Sequence, residues 1–269
     1  RRCRAFERSI LVAACPAGTG YVNFIAAETV EYMTGGDCAV VAVQYGSLPS
    51  MLSLDKVPIA SATYRKLLVA CREEIDLTGS PTRLVAYGES LGALAGESGL
   101  RTATDDGTLV TDRALWVGTP VGSLLFDRLV ADGTPVFDSP ADLDGREAGA
   151  ITFLNHDNDP VTKFEPAIAY RMPGWMEPKD RGRGTDPAQR WIPGVAFFQG
   201  LIDTKNAATV VPGEFKSSGH DYRADLASMI RFAYDLDVDE TTMTAIEDAL
   251  RRSEVERSTS IALGRLGTG

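Results

Sequence analysis

The chain has 269 residues, 44% of them apolar, enough to fill one large core, which excludes a disordered segment and a small stapled scaffold. Its 27 Lys and Arg against 37 Asp and Glu give a net charge of −10; with no cluster of basic residues to offset it, nucleic acid is not an expected partner and anionic lipid is repelled. Cysteines without a CxxC pair and only two histidines, His156 and His220, do not fit a structural zinc site.

The opening residues, Arg1, Arg2, Cys3 and Arg4, lack a following apolar run and a small-residue cleavage site, so no leader peptide is expected. With no initiator Met, the chain reads as a domain excised from something longer. The uncharged stretch 9–27 is broken by Pro16, Gly18, Gly20 and Asn23, which makes it a strand, a turn and a helix start rather than a membrane span. Further short apolar runs lie at residues 39–44, 83–87, 114–117 and 150–154; being continuous rather than alternating, they predict strands covered on both faces.

Helical patterns fall between these runs. One covers residues 23–33 and stops at Gly35 and Gly36; another places Tyr64, Leu67, Leu68, Cys71 and Ile75 on one face. Strand followed by helix, repeated along the chain, predicts an α/β fold with a mostly parallel sheet wrapped by helices on both sides, and a site at the carboxyl ends of the strands. After about residue 160 the pattern loosens. Residues 172–193 are rich in Pro, Gly, Arg and Asp and read as a lid or a surface excursion. Two helices over 222–234 and 239–252 close a single domain spanning 1–257, and 258–269 reads as a frayed tail.

The chemistry concentrates after the third run. Gly88, Glu89, Ser90, Leu91 and Gly92 form GxSxG between a predicted strand and the small-residue helix begun by Ala93, Leu94 and Ala95. That is the context of a nucleophile elbow, where a sharp turn exposes the serine and a Cβ on either glycine would collide with neighbouring backbone. A serine hydroxyl needs a base to take its proton and a carboxylate to orient that base. The run 150–154 leads into Asp157 and Asp159; Asp159, directly before Pro160 and further into the loop, is the favoured acid. His220 follows it and precedes a helix near the chain's end, whereas His156 precedes the acid in the same loop. Acid-then-histidine order selects Ser90, Asp159 and His220, with His156 left as a loop residue near the cleft.

An oxyanion needs two fixed N–H donors. The amide of Leu91 is one candidate, and Gly18 or Thr19, in the Gly-rich loop after Ile10–Cys15, the other. Such a loop could instead cradle a phosphate, but it lacks both the GxGxxG spacing and the P-loop Lys.

In these blocks the sequence resembles a known family, the membrane-associated α/β-hydrolases of actinobacteria, whose serine-hydrolase domain follows N-terminal transmembrane helices. The resemblance runs from about Phe6 to Tyr234. It is carried by Pro16, Gly18, Thr19 and Gly20; by Glu31, Tyr32, Met33, Gly35, Gly36 and Asp37; by Gln44, Tyr45, Leu48, Pro49, Ser50, Leu52 and Ser53; by the GESLG block; by Ala114, Leu115, Trp116, Val117 and Gly118; and by Asn158, Asp159, Pro160, Val161, Gly219, His220 and Tyr222. It implies an α/β-hydrolase fold, the triad Ser90, Asp159 and His220, and no metal or organic cofactor. It also implies that a strand and helix are missing ahead of this chain, and that membrane association comes from segments outside it, the fragment itself being soluble.

Two departures stand out. Gly46 and Met51 occupy positions where the family usually has aromatics, and Thr162 and Lys163 replace a Trp pair, which implies a wider and more polar cleft. Leu48, Met51 and Leu52 read as an acyl-binding wall or a capped core loop, and Trp175 as part of a lid or a packed surface loop. The leading expectation is a serine hydrolase of carboxylic esters with an acyl or lipid-like part. An acyltransferase with the same triad and a catalytically silent interaction domain are the alternatives.

Overall fold

The computed structural model describes residues 3–48, 53–103, 109–177, 181–183, 186, 188–207 and 209–264. Six parallel strands form one sheet: β1 Ile10–Cys15, β2 Cys38–Ala42, β3 Arg83–Glu89, β4 Arg113–Val117, β5 Val136–Phe137 and β6 Ile151–Leu154, in the order β2-β1-β3-β4-β6-β5. The continuous apolar runs work because a strand alternates its side chains between two faces, and here both faces are covered. Ile10, Val12, Ala14, Tyr87 and Val117 point to one core, while Leu11, Ala13, Cys15, Ala86 and Trp116 point to the other.

The first core is closed by α1 (Phe24–Met33), α7 (Leu226–Ala233) and α8 (Glu240–Ala262), the second by α2 (Val57–Thr78) and α3 (Leu91–Ala103). Local signals set the ends of several helices. Asn23 caps α1 by accepting from the Ile25 amide at 3.0 Å, and Gly79, at φ 61°, supplies the left-handed turn that ends α2. Short helices complete the second half: α4 (Leu124–Ala131), α5 (Pro160–Lys163) and α6 (Val195–Ala207).

The architecture matches the sequence expectation, with three differences. β2 is an edge strand, so its side chains are partly exposed instead of covered on both faces. β5 is too short to carry a sequence pattern, and it forms the opposite edge. Helix α8 continues through Ala262, well into the stretch expected to fray, because Leu250 and Glu254 anchor its later turns in buried positions.

Helix α3 has small residues for a physical reason. It lies so close to the sheet that a Cβ at Gly96 would come within 2.6 Å of the buried Trp116 ring, and one at Gly99 within 2.9 Å of the Ser61 carbonyl on α2. Alanine is worth about 1 kcal/mol more than glycine in a free helix. Crowding against a ring with no free end should reverse that sign, so Gly96→Ala is expected to lower stability by about 1–3 kcal/mol in urea unfolding. A stabilised variant would show that Trp116 yields.

Candidate active site

The elbow forms where β3 ends at Glu89 and α3 begins at Leu91. Ser90 between them is held at φ 56°, a left-handed conformation costing about 1–3 kcal/mol for a residue with a Cβ, and its amide donates to the Val117 carbonyl at 2.9 Å. Gly88 and Gly92 make the turn possible. A Cβ on Gly88 would lie 2.7 Å from the Gly92 carbonyl oxygen and 2.9 Å from Trp116, and one on Gly92 would run into the Cys15 carbonyl. Because Leu91 opens α3, its amide is among those without an acceptor inside the helix.

Asp159 follows β6 at the start of α5. It is fully buried, and both its oxygens are engaged: Oδ1 accepts from the Val161 amide at 2.8 Å, while Oδ2 accepts from His220 Nδ1 at 2.7 Å and from the Tyr222 hydroxyl at 2.7 Å. A carboxylate is acceptor-only, so Nδ1 carries the proton and Nε2 of the neutral ring is left as an acceptor. Asp157 is engaged elsewhere, accepting from the Arg183 amide and from its Nε, each at 2.9 Å. Burial pushes the Asp159 carboxyl up, but the His220 charge and the hydrogen bonds from His220, Tyr222 and Val161 outweigh it and hold the group below the ordinary carboxylate range. Burial likewise pushes His220 down, and Asp159, with smaller help from Glu89 and Asp221, outweighs it, so the imidazole lies above its ordinary value.

His156 is a loop residue, as expected, but a buried one that props the site from behind. Its Nδ1 bonds the Gly219 carbonyl and its Nε2 the Asp225 carboxylate, both at 2.8 Å, and its ring stacks on Tyr222 with centroids 4.1 Å apart. The Tyr222 hydroxyl that donates to Asp159 also accepts from the His156 amide at 3.1 Å. Gly118, at φ 58°, packs against both rings: a Cβ there would come within 2.9 Å of Tyr222 Cε2 and 3.0 Å of His220 Cε1. The loop after Gly118 is tied down by Glu97, which accepts from the Thr119 and Ser123 hydroxyls; burial pushes this carboxyl up to about 7 despite those bonds.

The histidine loop is also clamped to α8. Arg223 donates to both oxygens of Asp221, at 2.8 and 2.7 Å, and to Glu254 at 2.6 Å, with all three side chains nearly buried. Removing one member of such a buried set would leave uncompensated charge. Gly118, Gly219 and Tyr222 fall within the blocks that carry the family resemblance; His156, Asp225, Arg223, Glu254 and Glu97 have no motif, and the signal for them is contact alone.

Ser90 and His220 share a cleft of about 730 Å³ lined mainly by apolar groups, including Ala17, Tyr21, Val22, Val161 and Val210, together with Thr19, Asn23 and Glu89. Of the oxyanion candidates, Thr19 lines this cleft, and Gly18 lies in the same loop with its carbonyl against Gly46, where a Cβ would come within 2.9 Å. Gly46 thus permits a close loop-to-loop approach. Leu48 is half exposed, its carbonyl accepting from the Ser53 hydroxyl at 2.9 Å; Met51 and Leu52 lie outside the described residues. Trp175 lines a neighbouring pocket of about 420 Å³ rather than the cleft of Ser90; its Nε1 donates to the Lys163 carbonyl at 3.2 Å, and the Lys163 ammonium sits over its ring.

A parallel sheet with a serine elbow after β3, a carboxylate after β6 and a histidine ahead of the closing helices defines the α/β-hydrolase class. The chain belongs to the alpha/beta-hydrolase family, whose model matches residues 1–146 and 139–247. That membership supports a hydrolase-type function. No curated protein and no solved structure matches the chain. Among the described residues, no helix is long and apolar enough to cross a membrane.

The paired shifts fix a pH dependence. A depressed carboxyl stabilises the fold above its unfolded pKa and loses that contribution as pH falls; a raised imidazole stabilises below its unfolded pKa and loses it as pH rises through the folded value. The pair therefore contributes most between about pH 4 and 6.5. Asp159→Asn should destabilise more at about pH 5.5 than at about pH 8.5, by roughly 1 kcal/mol, read as the change in urea unfolding free energy. An equal loss at both would mean that His220 does not charge against Asp159.

Proposed function

We propose that the protein is a serine hydrolase that cleaves carboxylic esters through an acyl-enzyme on Ser90. The observation that carries the reading is the 2.7 Å bond from His220 Nδ1 to the buried Asp159, in a histidine that shares the cleft with a serine held on a left-handed elbow. Ser90 Oγ attacks the ester carbonyl while His220 Nε2 takes its proton. The Leu91 amide and an amide of the Gly18–Thr19 loop hold the oxyanion. The tetrahedral species collapses with departure of the alcohol, which receives the proton from His220, and water repeats the sequence to release the acid. Asp159 stays ionised and fixes the imidazole. The largely apolar cleft wall favours an acyl or lipid-like portion, since apolar area buried there is worth roughly 25 cal/mol per Å².

A fluorophosphonate should add once to the wild-type chain and not to Ser90→Ala, as read by intact mass. Hydrolysis of a p-nitrophenyl ester series should fall by about 10³-fold or more in that variant. No adduct on folded wild-type protein would overturn the proposal in favour of a silent scaffold.

The raised His220 pKa gives a second expectation. Neutral imidazole is the active form, so the acid limb of kcat/KM should have its midpoint above the ordinary histidine value of about 6.5. In Asp159→Asn the residual activity should show that limb moved to lower pH. An unmoved limb would assign it to another group.

A further inference from the structure

Glu89 stands directly before the nucleophile and takes no part in the steps above. It ends β3, lines the cleft beside Ser90, and its Oε2 accepts from Asn23 Nδ2 and from the Tyr87 hydroxyl, each at 2.8 Å. Both donors are neutral, and among the described residues no ion pair to Glu89 is formed. Asn23 is tied in turn to the α1 amide it caps, so the carboxylate is held by main-chain structure on one side and by a buried tyrosine on the other. A packing role alone would be served by glutamine, whose carbonyl oxygen can accept from the same two donors.

Among the described residues no ion pair neutralises Glu89 directly, and the strongest nearby cation is already matched. Arg223, which also lines the cleft, is gripped by the carboxylates of Asp221 and Glu254, and Lys205 of α6 is the other cation on the wall. Tyr21 lines the same cleft, as does Tyr87, whose hydroxyl meets the Glu89 carboxylate. A carboxylate in a largely apolar cleft attracts an ammonium group and repels an anion more strongly than it would in open water.

We infer that Glu89 is a specificity-determining residue, selecting esters that carry a cationic ammonium group near the scissile bond and rejecting esters that carry a carboxylate or phosphate there. The inference rests on the serine-hydrolase reading and adds the substrate's charge class to it. In a partly desolvated cleft one unit charge several ångströms away discriminates by about tenfold or more. The preference falls in the order cation, neutral, anion. It also favours release of the acid product, whose new carboxylate is repelled.

The test compares wild type with Glu89→Gln on two sets of matched esters. In one set a single acid is esterified to a trimethylammonium-ethyl alcohol, its uncharged 3,3-dimethylbutyl isostere or a carboxyethyl alcohol; in the other, equivalent charges are placed on the acyl part. The readout is the ratio of kcat/KM for the cationic to the anionic ester. This ratio cancels any effect of Glu89 on His220, because that effect is common to every ester, and comparing the ratio between wild type and Glu89→Gln removes the influence of Asp159, Asp221, Lys205 and Arg223, which line or support the cleft in both proteins. In at least one set the wild-type ratio should exceed one, and Glu89→Gln should lower it by about tenfold, with the urea midpoint unchanged. A ratio that does not move in either set overturns the inference while leaving the hydrolase reading intact. Absence of turnover and of a fluorophosphonate adduct in wild type would instead remove the hydrolase reading on which it rests. Should Glu89→Gln misfold, the wild-type ratio decides: a value above one in at least one set supports the inference, and a value of one or below in both sets overturns it.

Discussion

A carboxylate taken wholly out of water is stable only if its lone pairs are met by donors, and Asp159 is such a group. Its three donors, the Val161 amide, the Tyr222 hydroxyl and His220 Nδ1, come from two chain segments that lie far apart in sequence. Much of the surrounding structure serves to deliver them. His156 stacks on Tyr222 and holds the carbonyl of Gly219; Asp225 holds His156; Arg223 joins the histidine loop to α8. Loss of one donor leaves a buried charge short of a partner, a cost of about 1–3 kcal/mol, more when the donor is itself charged. The histidine is therefore fixed by the same bonds that make the acid tolerable.

The serine side of the cleft obeys a steric constraint. Gly88, Gly92 and Gly96 let β3, the elbow and α3 approach β1 and Trp116 more closely than any Cβ would permit. The gain is a serine raised at the carboxyl edge of the sheet, on the same edge where β1 delivers Thr19 and β6 delivers Asp159. A parallel sheet makes this convergence general: every strand points its carboxyl end the same way, so loops distant in sequence become neighbours.

The central strands were legible because burial on both faces leaves a continuous apolar run, and β1, β3, β4 and β6 are of that kind. β2 was legible as the run 39–44, although as an edge strand it is only partly buried, whereas β5, two residues long, carries no pattern. Helix α6 gives no clear stripe because Val195, Phe198 and Ile202 are exposed apolar residues, so periodicity does not mark its inner face. At the site, the elbow motif, the order of acid and histidine and the scarcity of histidines pointed to Ser90, Asp159 and His220, and the fold brings Asp159 and His220 into contact and sets Ser90 in the cleft that His220 lines. The supporting contacts were not legible. His156, Asp225, Arg223 and Glu254 are joined by hydrogen bonds across up to 69 residues of sequence separation, and nothing in local spacing encodes such pairs. Trp175 shows the converse: an aromatic residue close to the acid in sequence lies in the adjoining pocket, bound to the backbone of Lys163.

A crystal structure of the fluorophosphonate adduct tests most directly whether Ser90, His220 and Asp159 act together. The expected structure has phosphorus bonded to Ser90 Oγ, the phosphoryl oxygen within hydrogen-bond reach of the Leu91 amide and of an amide in the Gly18–Thr19 loop, and the His220–Asp159 bond intact. Phosphorus on another residue, or a phosphoryl oxygen turned away from both amides, would contradict it.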